Sequence, residues 1–190
     1  MISLLFKGMG RNSITQGFHF NHRAWDLVPP KKVYFGYGTP LCAPEDFEVL
    51  GINGDGFTPS SHEKFLYGYG IKLKGLKTGL QYLFWHCLPM FPIWGGNRGK
   101  EGQIVAYMGN SGTVSQGGKP VELKDRDQVP FNPKDPEEDG LHLHFELYDK
   151  NGKQIDPMSY FDWDKQPEYG AAEQIRAATV VLNKLIRNIK

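Results

Sequence analysis

Histidine and acidic residues carry most of the chemistry open to this chain, and they are unevenly placed. His142 and His144 stand two apart in the run from Leu141 to Tyr148, which alternates apolar and polar residues throughout. At period two, Leu141, Leu143, Phe145 and Leu147 share one face, and His142, His144, Glu146 and Tyr148 share the other. The apolar face anchors a strand on a core. The opposite face then presents two imidazoles roughly 6.5–7 Å apart. One of them can bind a metal ion while the other reaches a water on that ion. Alone, a His-x-His pair equally suits a half-exposed strand with a polar outer face, so the remaining residues must decide.

His22 is followed four residues later by Asp26, entering an apolar segment that ends at Pro29 and Pro30. Zinc accepts imidazole nitrogen and carboxylate oxygen at about 2.0–2.2 Å, and catalytic zinc sites combine three protein ligands with a water. His22 and Asp26 supply two of those three. His86 ends the strand-like stretch Leu80–His86, where alternation sets it on the face of Tyr82 and Phe84. It is a structural residue unless the fold brings it beside His142 and His144. His62 sits in a polar loop and is expected to be exposed and uninvolved. Cys42 and Cys87 are expected as buried free thiols, Cys87 pointing away from His86.

The composition describes the frame that must hold these residues. With 23 glycines, 13 prolines and 13% aromatics, the chain favours short strands joined by turns over helices. Its 190 residues suit one domain with decoration. A net charge of +1 with 23% charged residues gives no pointer to nucleic acid or to a strongly acidic partner. No apolar run approaches the length of a transmembrane helix. The segment from Met1 to Gly8 lacks the features of a signal peptide. Strands are expected at the N-terminus ahead of a polar turn at Gly8–Ser13, after Gly38, at Phe47–Ile52, at Tyr69–Leu73 with Gly79–His86, and at Gln103–Met108. Residues 115–140, with four prolines and many charges, read as a surface insertion. The body is expected over 1–161, and 162–190 as a C-terminal extension. There Ile175, Ala178, Leu182, Leu185 and Ile189 recur at the spacing of an amphipathic helix.

Five segments in order resemble the lysostaphin-type zinc endopeptidases. They are Ile14–Phe18 leading to His22-x-x-x-Asp26; Gly38–Pro40 with Ala43–Pro44; Gly68–Gly70; the strand Tyr82–His86; and Gly102–Gln103 through Gly109–Gly112 to Leu141–Glu146. The resemblance implies a mainly β fold, an antiparallel sheet with a substrate groove. It implies that His22, Asp26 and His144 bind one zinc ion, with His86 and His142 as the catalytic histidines flanking its open position. It implies hydrolysis of the peptide cross-links of bacterial peptidoglycan; the bond cut and the division of labour between the two histidines stay open. Three features depart from the family. Residues 115–140 are inserted before the His-x-His strand, Ala24 stands where a glycine is usual, and neither a signal peptide nor a wall-binding domain is recognisable. The expectation is therefore a bacteriophage enzyme. It would be either borne on the virion tail, with the C-terminal helix docking on tail proteins, or held in the host cytoplasm for release at lysis. The alternative is a non-catalytic wall-binding or structural virion component on the same fold.

Overall fold

A computed structural model describes residues 1–30, 38–53, 56–57, 68–116, 119–120 and 140–168, together with Ile175 and Thr179. In chain order its strands are β1 (Ile14–Gln16), β2 (Trp25–Leu27), β3 (Pro40–Cys42), β4 (Phe47–Asn53), β5 (Gly56–Phe57) and β6 (Tyr69–Gly75). They continue with β7 (Gln81–Cys87), β8 (Arg98–Gly99), β9 (Ile104–Tyr107), β10 (Ser115–Gln116), β11 (Lys119–Pro120) and β12 (Leu143–Tyr148). Eight strands make one sheet in the order β1-β2-β12-β7-β6-β4-β5, with β8 also beside β4, while β3 pairs with β9 and β10 with β11. Among the described residues every pairing is antiparallel except that of β4 with β5. The short strands expected from composition and the mainly β, antiparallel sheet implied by the family resemblance are present.

The alternation in β12 decides which side of the sheet is dry. Leu143, Phe145 and Leu147 are fully buried, and their partners across the ladders are Leu27, Trp25, Phe84 and Tyr82, all buried as well. Phe84 and Phe145 meet edge to face at 5.4 Å, and Trp25 stacks on Phe161 at 5.7 Å. Leu41, Ala43, Val105, Ala106 and Met108, from β3, β9 and their flanks, join the same core. Each fully buried side chain of this size adds about 1.5–3 kcal/mol to folding. That anchorage holds β12 between β2 and β7 with its polar face turned outward.

The expected leading strand is not formed. Ile2 makes a single bridge to Phe161, and the chain then bends to a turn at Gly8 and a 3-10 turn at Arg11–Ser13. Leu4, Leu5 and Phe6 are all 0% exposed. Three consecutive buried side chains leave no solvent face for a strand to alternate with. The backbone here ties distant parts together: Leu4 N–H donates to Lys165, and Cys42 N–H donates to Leu5. Residues just after Phe161 also pack on this body, Trp163 against Trp25 and the Gln166 side chain against the backbone of Gly8 and Met9.

Most of the expected insertion (121–139) and His62 lie outside the described residues, as does nearly all of the expected amphipathic helix. Of that helix only Ile175 and Thr179 are described. Both are helical, Thr179 Oγ1 donating to Ile175 O at 2.8 Å, but no α-helix stands among the described elements. None of the described helical residues forms a segment long and apolar enough to cross a membrane.

Candidate metal centre

Asp26 and His144 sit directly opposite one another in the β2–β12 ladder. Trp25 and Leu27, on either side of Asp26, are buried, so alternation turns the carboxylate to the outer face where His144 also points. His144 Nδ1 lies 2.9 Å from Asp26 Oδ1. His22 arrives from a tight turn closed by reciprocal backbone hydrogen bonds between His19 and His22, with Phe20 at its exposed tip. Its Nε2 comes within 3.3 Å of the same Asp26 oxygen, and its ring stands edge-on to His144 at 5.2 Å. Ligand atoms of His22, Asp26 and His144 all lie within 4.8 Å of one another.

The donor set suits a cation. His22 Nδ1 is 3.1 Å from the Gly17 carbonyl, which can only accept, so Nδ1 carries the hydrogen and Nε2 keeps its lone pair. That Nε2 is buried and makes no hydrogen bond with any described group. A buried lone pair facing a carboxylate is unfavourable as it stands, and it is what a metal ligand presents. Two imidazoles and one carboxylate match the ligand preferences of zinc.

His86 reaches this site by a device that alternation does not foresee. Strict period two would place it beside Tyr82 and Phe84, which are core residues. Instead the ladder between β6 and β7 slips, pairing Tyr69 with Cys87 and Ile71 with Phe84, so that Trp85 and His86 together oppose Gly70. His86 takes φ 58, the left-handed conformation, at this bulge. The extra residue turns the imidazole to the outer face, 4.5 Å from the His142 ring and 5.9 Å from the His144 ring. Cys87 returns to the core, and both cysteines are free and buried, as expected.

Backbone carbonyls fix the two remaining histidines. His86 Nδ1 donates to Ser111 O at 2.6 Å, and His142 Nδ1 donates to Gly140 O at 2.8 Å. Both rings therefore keep Nε2 as the unprotonated nitrogen, and that of His142 lies 3.8 Å from Asp26 Oδ1. Ser111 is held in turn: its hydroxyl accepts from Tyr69 N–H and donates to the Cys87 carbonyl. A Cβ on Gly68 would come within 2.4 Å of this turn, and one on Gly70 within 2.4 Å of the Trp85 ring. These contacts were hidden in sequence, although the glycines that permit them are visible there. Glu146 accepts from Trp85 Nε1 at 3.1 Å, a contact the sequence did not suggest.

Burial lowers the pKa of His86 and His142, and mutual repulsion among the histidines adds to it. Both rings are neutral near pH 7. Burial also pushes the Asp26 carboxyl up, but the bond from His144 and the charges of His142, His144 and His22 hold it below the usual carboxylate range. Burial opposes charge on His144 too, yet Asp26 and Glu146 outweigh it and raise its pKa to about 9. Without a cation, His144 is an imidazolium between two carboxylates.

No protein-family model matches the chain, and no curated protein matches it in sequence. Solved structures do resemble it. Helicobacter pylori Csd3 aligns over 94% of this chain and 38% of its own, at 19% identity and a TM-score of 0.50. A zinc-containing peptidase from Vibrio cholerae aligns over 82% of this chain and 40% of its own, at 18% identity and a TM-score of 0.50. The catalytic domain of the antimicrobial peptidase lysostaphin from Staphylococcus simulans aligns over 82% of this chain and 91% of its own, at 18% identity and a TM-score of 0.46. At these identities the likeness is one of fold. The fold is shared with Csd3 and the zinc-containing peptidase.

Proposed function

We propose that the chain is a zinc-dependent endopeptidase that hydrolyses peptide cross-links in bacterial peptidoglycan. The observation that carries this is the convergence of an unpartnered His22 Nε2, Asp26 and His144 beside two neutral imidazoles, on a peptidase fold. His22 through Nε2, Asp26 through Oδ1 and His144 through Nδ1 would hold the ion. Bound there, zinc supplies the Lewis acidity that activates water and polarises a peptide carbonyl.

The chain's own residues do the remainder. Gly17 and Gly140 lock the tautomers of His22 and His142, so their Nε2 atoms face inward without reorganisation. Neutral His142, beside Asp26, is placed to take a proton from water near pH 7 and to return it to the leaving amine. His86, clamped by Ser111 against the His142 ring, orders the other side of the site and presents its unprotonated Nε2 there as an acceptor. The apolar side of the sheet holds these groups rigid.

The test is hydrolysis of purified sacculi by zinc-loaded protein, chelated protein and the His142→Ala variant, with products read by mass spectrometry. New amine termini in the zinc-loaded wild-type sample alone are the expected result, and they name the bond. Intact sacculi from several wall types, with zinc verified in place, would overturn the reading in favour of a non-catalytic wall-binding or structural role.

A further inference from the structure

Glu146 lies on the outer face two residues beyond His144, yet it is only 5% exposed. Its two oxygens are held from separate directions. Oε1 accepts from the indole of Trp85, whose ring rests where Gly70 has no side chain. Oε2 accepts from the Tyr148 hydroxyl and the Gln154 amide, Gln154 being placed by its bridge to Tyr148. So restrained, Oε1 faces His144 Nε2 at 3.6 Å, an ion-pair separation longer than a hydrogen bond. The other nitrogen of that ring, Nδ1, faces Asp26.

We infer that Glu146 is a positioning residue for the metal centre, holding His144 by its outer nitrogen so that Nδ1 is presented to the ion. This rests on the zinc site proposed above. Glu146 cannot itself be a ligand in this arrangement, because the two ring nitrogens diverge and it lies at the wrong one. Donors at both oxygens, Trp85 at Oε1 and Tyr148 with Gln154 at Oε2, select a carboxylate over an amide, and the charge they hold is directed through Oε1 at the His144 ring. A carboxylate there enriches the electron density of the imidazole and fixes Nε2 as the protonated nitrogen. Three polar neighbours hold a buried charge for one ring.

Glu146→Gln tests this, read by zinc competition with a chromophoric chelator at alkaline pH, where a proton no longer competes for the His144 ring. The variant is expected to unfold as cooperatively as wild type measured alongside it, but to bind zinc about 10–100-fold more weakly. A cooperatively folded variant that binds zinc as tightly as wild type would overturn the inference. Should Glu146→Gln not fold, the double variant Tyr148→Phe/Gln154→Met decides, since it leaves the carboxylate in place but frees Oε2. Severalfold weaker zinc binding is then expected, and unchanged binding overturns the inference. Wild-type protein that fails to bind zinc would instead defeat the metal site itself, so the two failures are distinguishable.

Discussion

Asp26 Oδ1 is the point on which three imidazoles converge, at 3.3 Å from His22, 2.9 Å from His144 and 3.8 Å from His142. The three are not equivalent. His22 offers a buried lone pair with no hydrogen bond among the described residues, whereas His142 is farther away and lies against His86. Holding an ion and moving a proton should therefore separate by substitution. His22→Ala would remove a ligand of the proposed site and is expected to abolish stoichiometric zinc binding. His142→Ala is expected to retain zinc within a few-fold of wild type and to lose about 10²–10⁴ in hydrolytic rate, the usual worth of a general base. Metal content after dialysis and the rate on sacculi measure the two effects independently. Loss of zinc in both variants would place His142 among the ligands.

At the scale of elements, β12 was readable from sequence because one face of it is fully buried, and burial on one face leaves only one register. Asp26 was joined to His144 only by the family resemblance, and the ladder sets the two opposite one another. β7 was misleading: the alternation of Tyr82 and Phe84 is genuine, but it stops at a bulge that no residue type announces. Glycine would mark such a position, and here a histidine occupies it at φ 58. The leading segment misled for the opposite reason, since its apolar run is core filling and not a strand. A left-handed histidine carries strain of about 1–2 kcal/mol, maintained by its Ser111 bond and the packing around it. Comparing His86→Gly with His86→Ala isolates that strain, because both lose the imidazole. In an ordinary strand glycine is the less stable of the two. Here the order should invert, with His86→Gly more stable by about 1 kcal/mol in urea unfolding. Alanine matching or exceeding glycine would mean that the bulge relaxes once the ring is gone.

For the molecule as a whole, the site is a cluster of buried ionisable groups whose folding linkage has a definite sign. Without zinc, His86 and His142 have folded pKa values below 6.5, so the unfolded chain binds more protons there and stability rises with pH up to about that value. Asp26 and Glu146, both held low, act in the same direction under acid conditions, being stabilising above their unfolded values and lost below them. His144 is opposite. Its folded pKa of about 9 exceeds 6.5, so the stability it contributes is complete below 6.5 and disappears as pH rises through about 9. Zinc bound at the proposed site would take the place of the proton on His144 Nδ1, removing that alkaline decline and adding binding free energy, about 4 kcal/mol at a thousandfold excess over the dissociation constant. Thermal midpoints measured across this range should therefore peak near pH 6.5 in chelator and fall towards pH 9, while zinc-loaded protein holds its midpoint over the same interval. A chelated protein whose midpoint is flat from pH 6.5 to 9 would show that His144 is not charged between its two carboxylates, and the account of how the sheet prepares this site would fail with it.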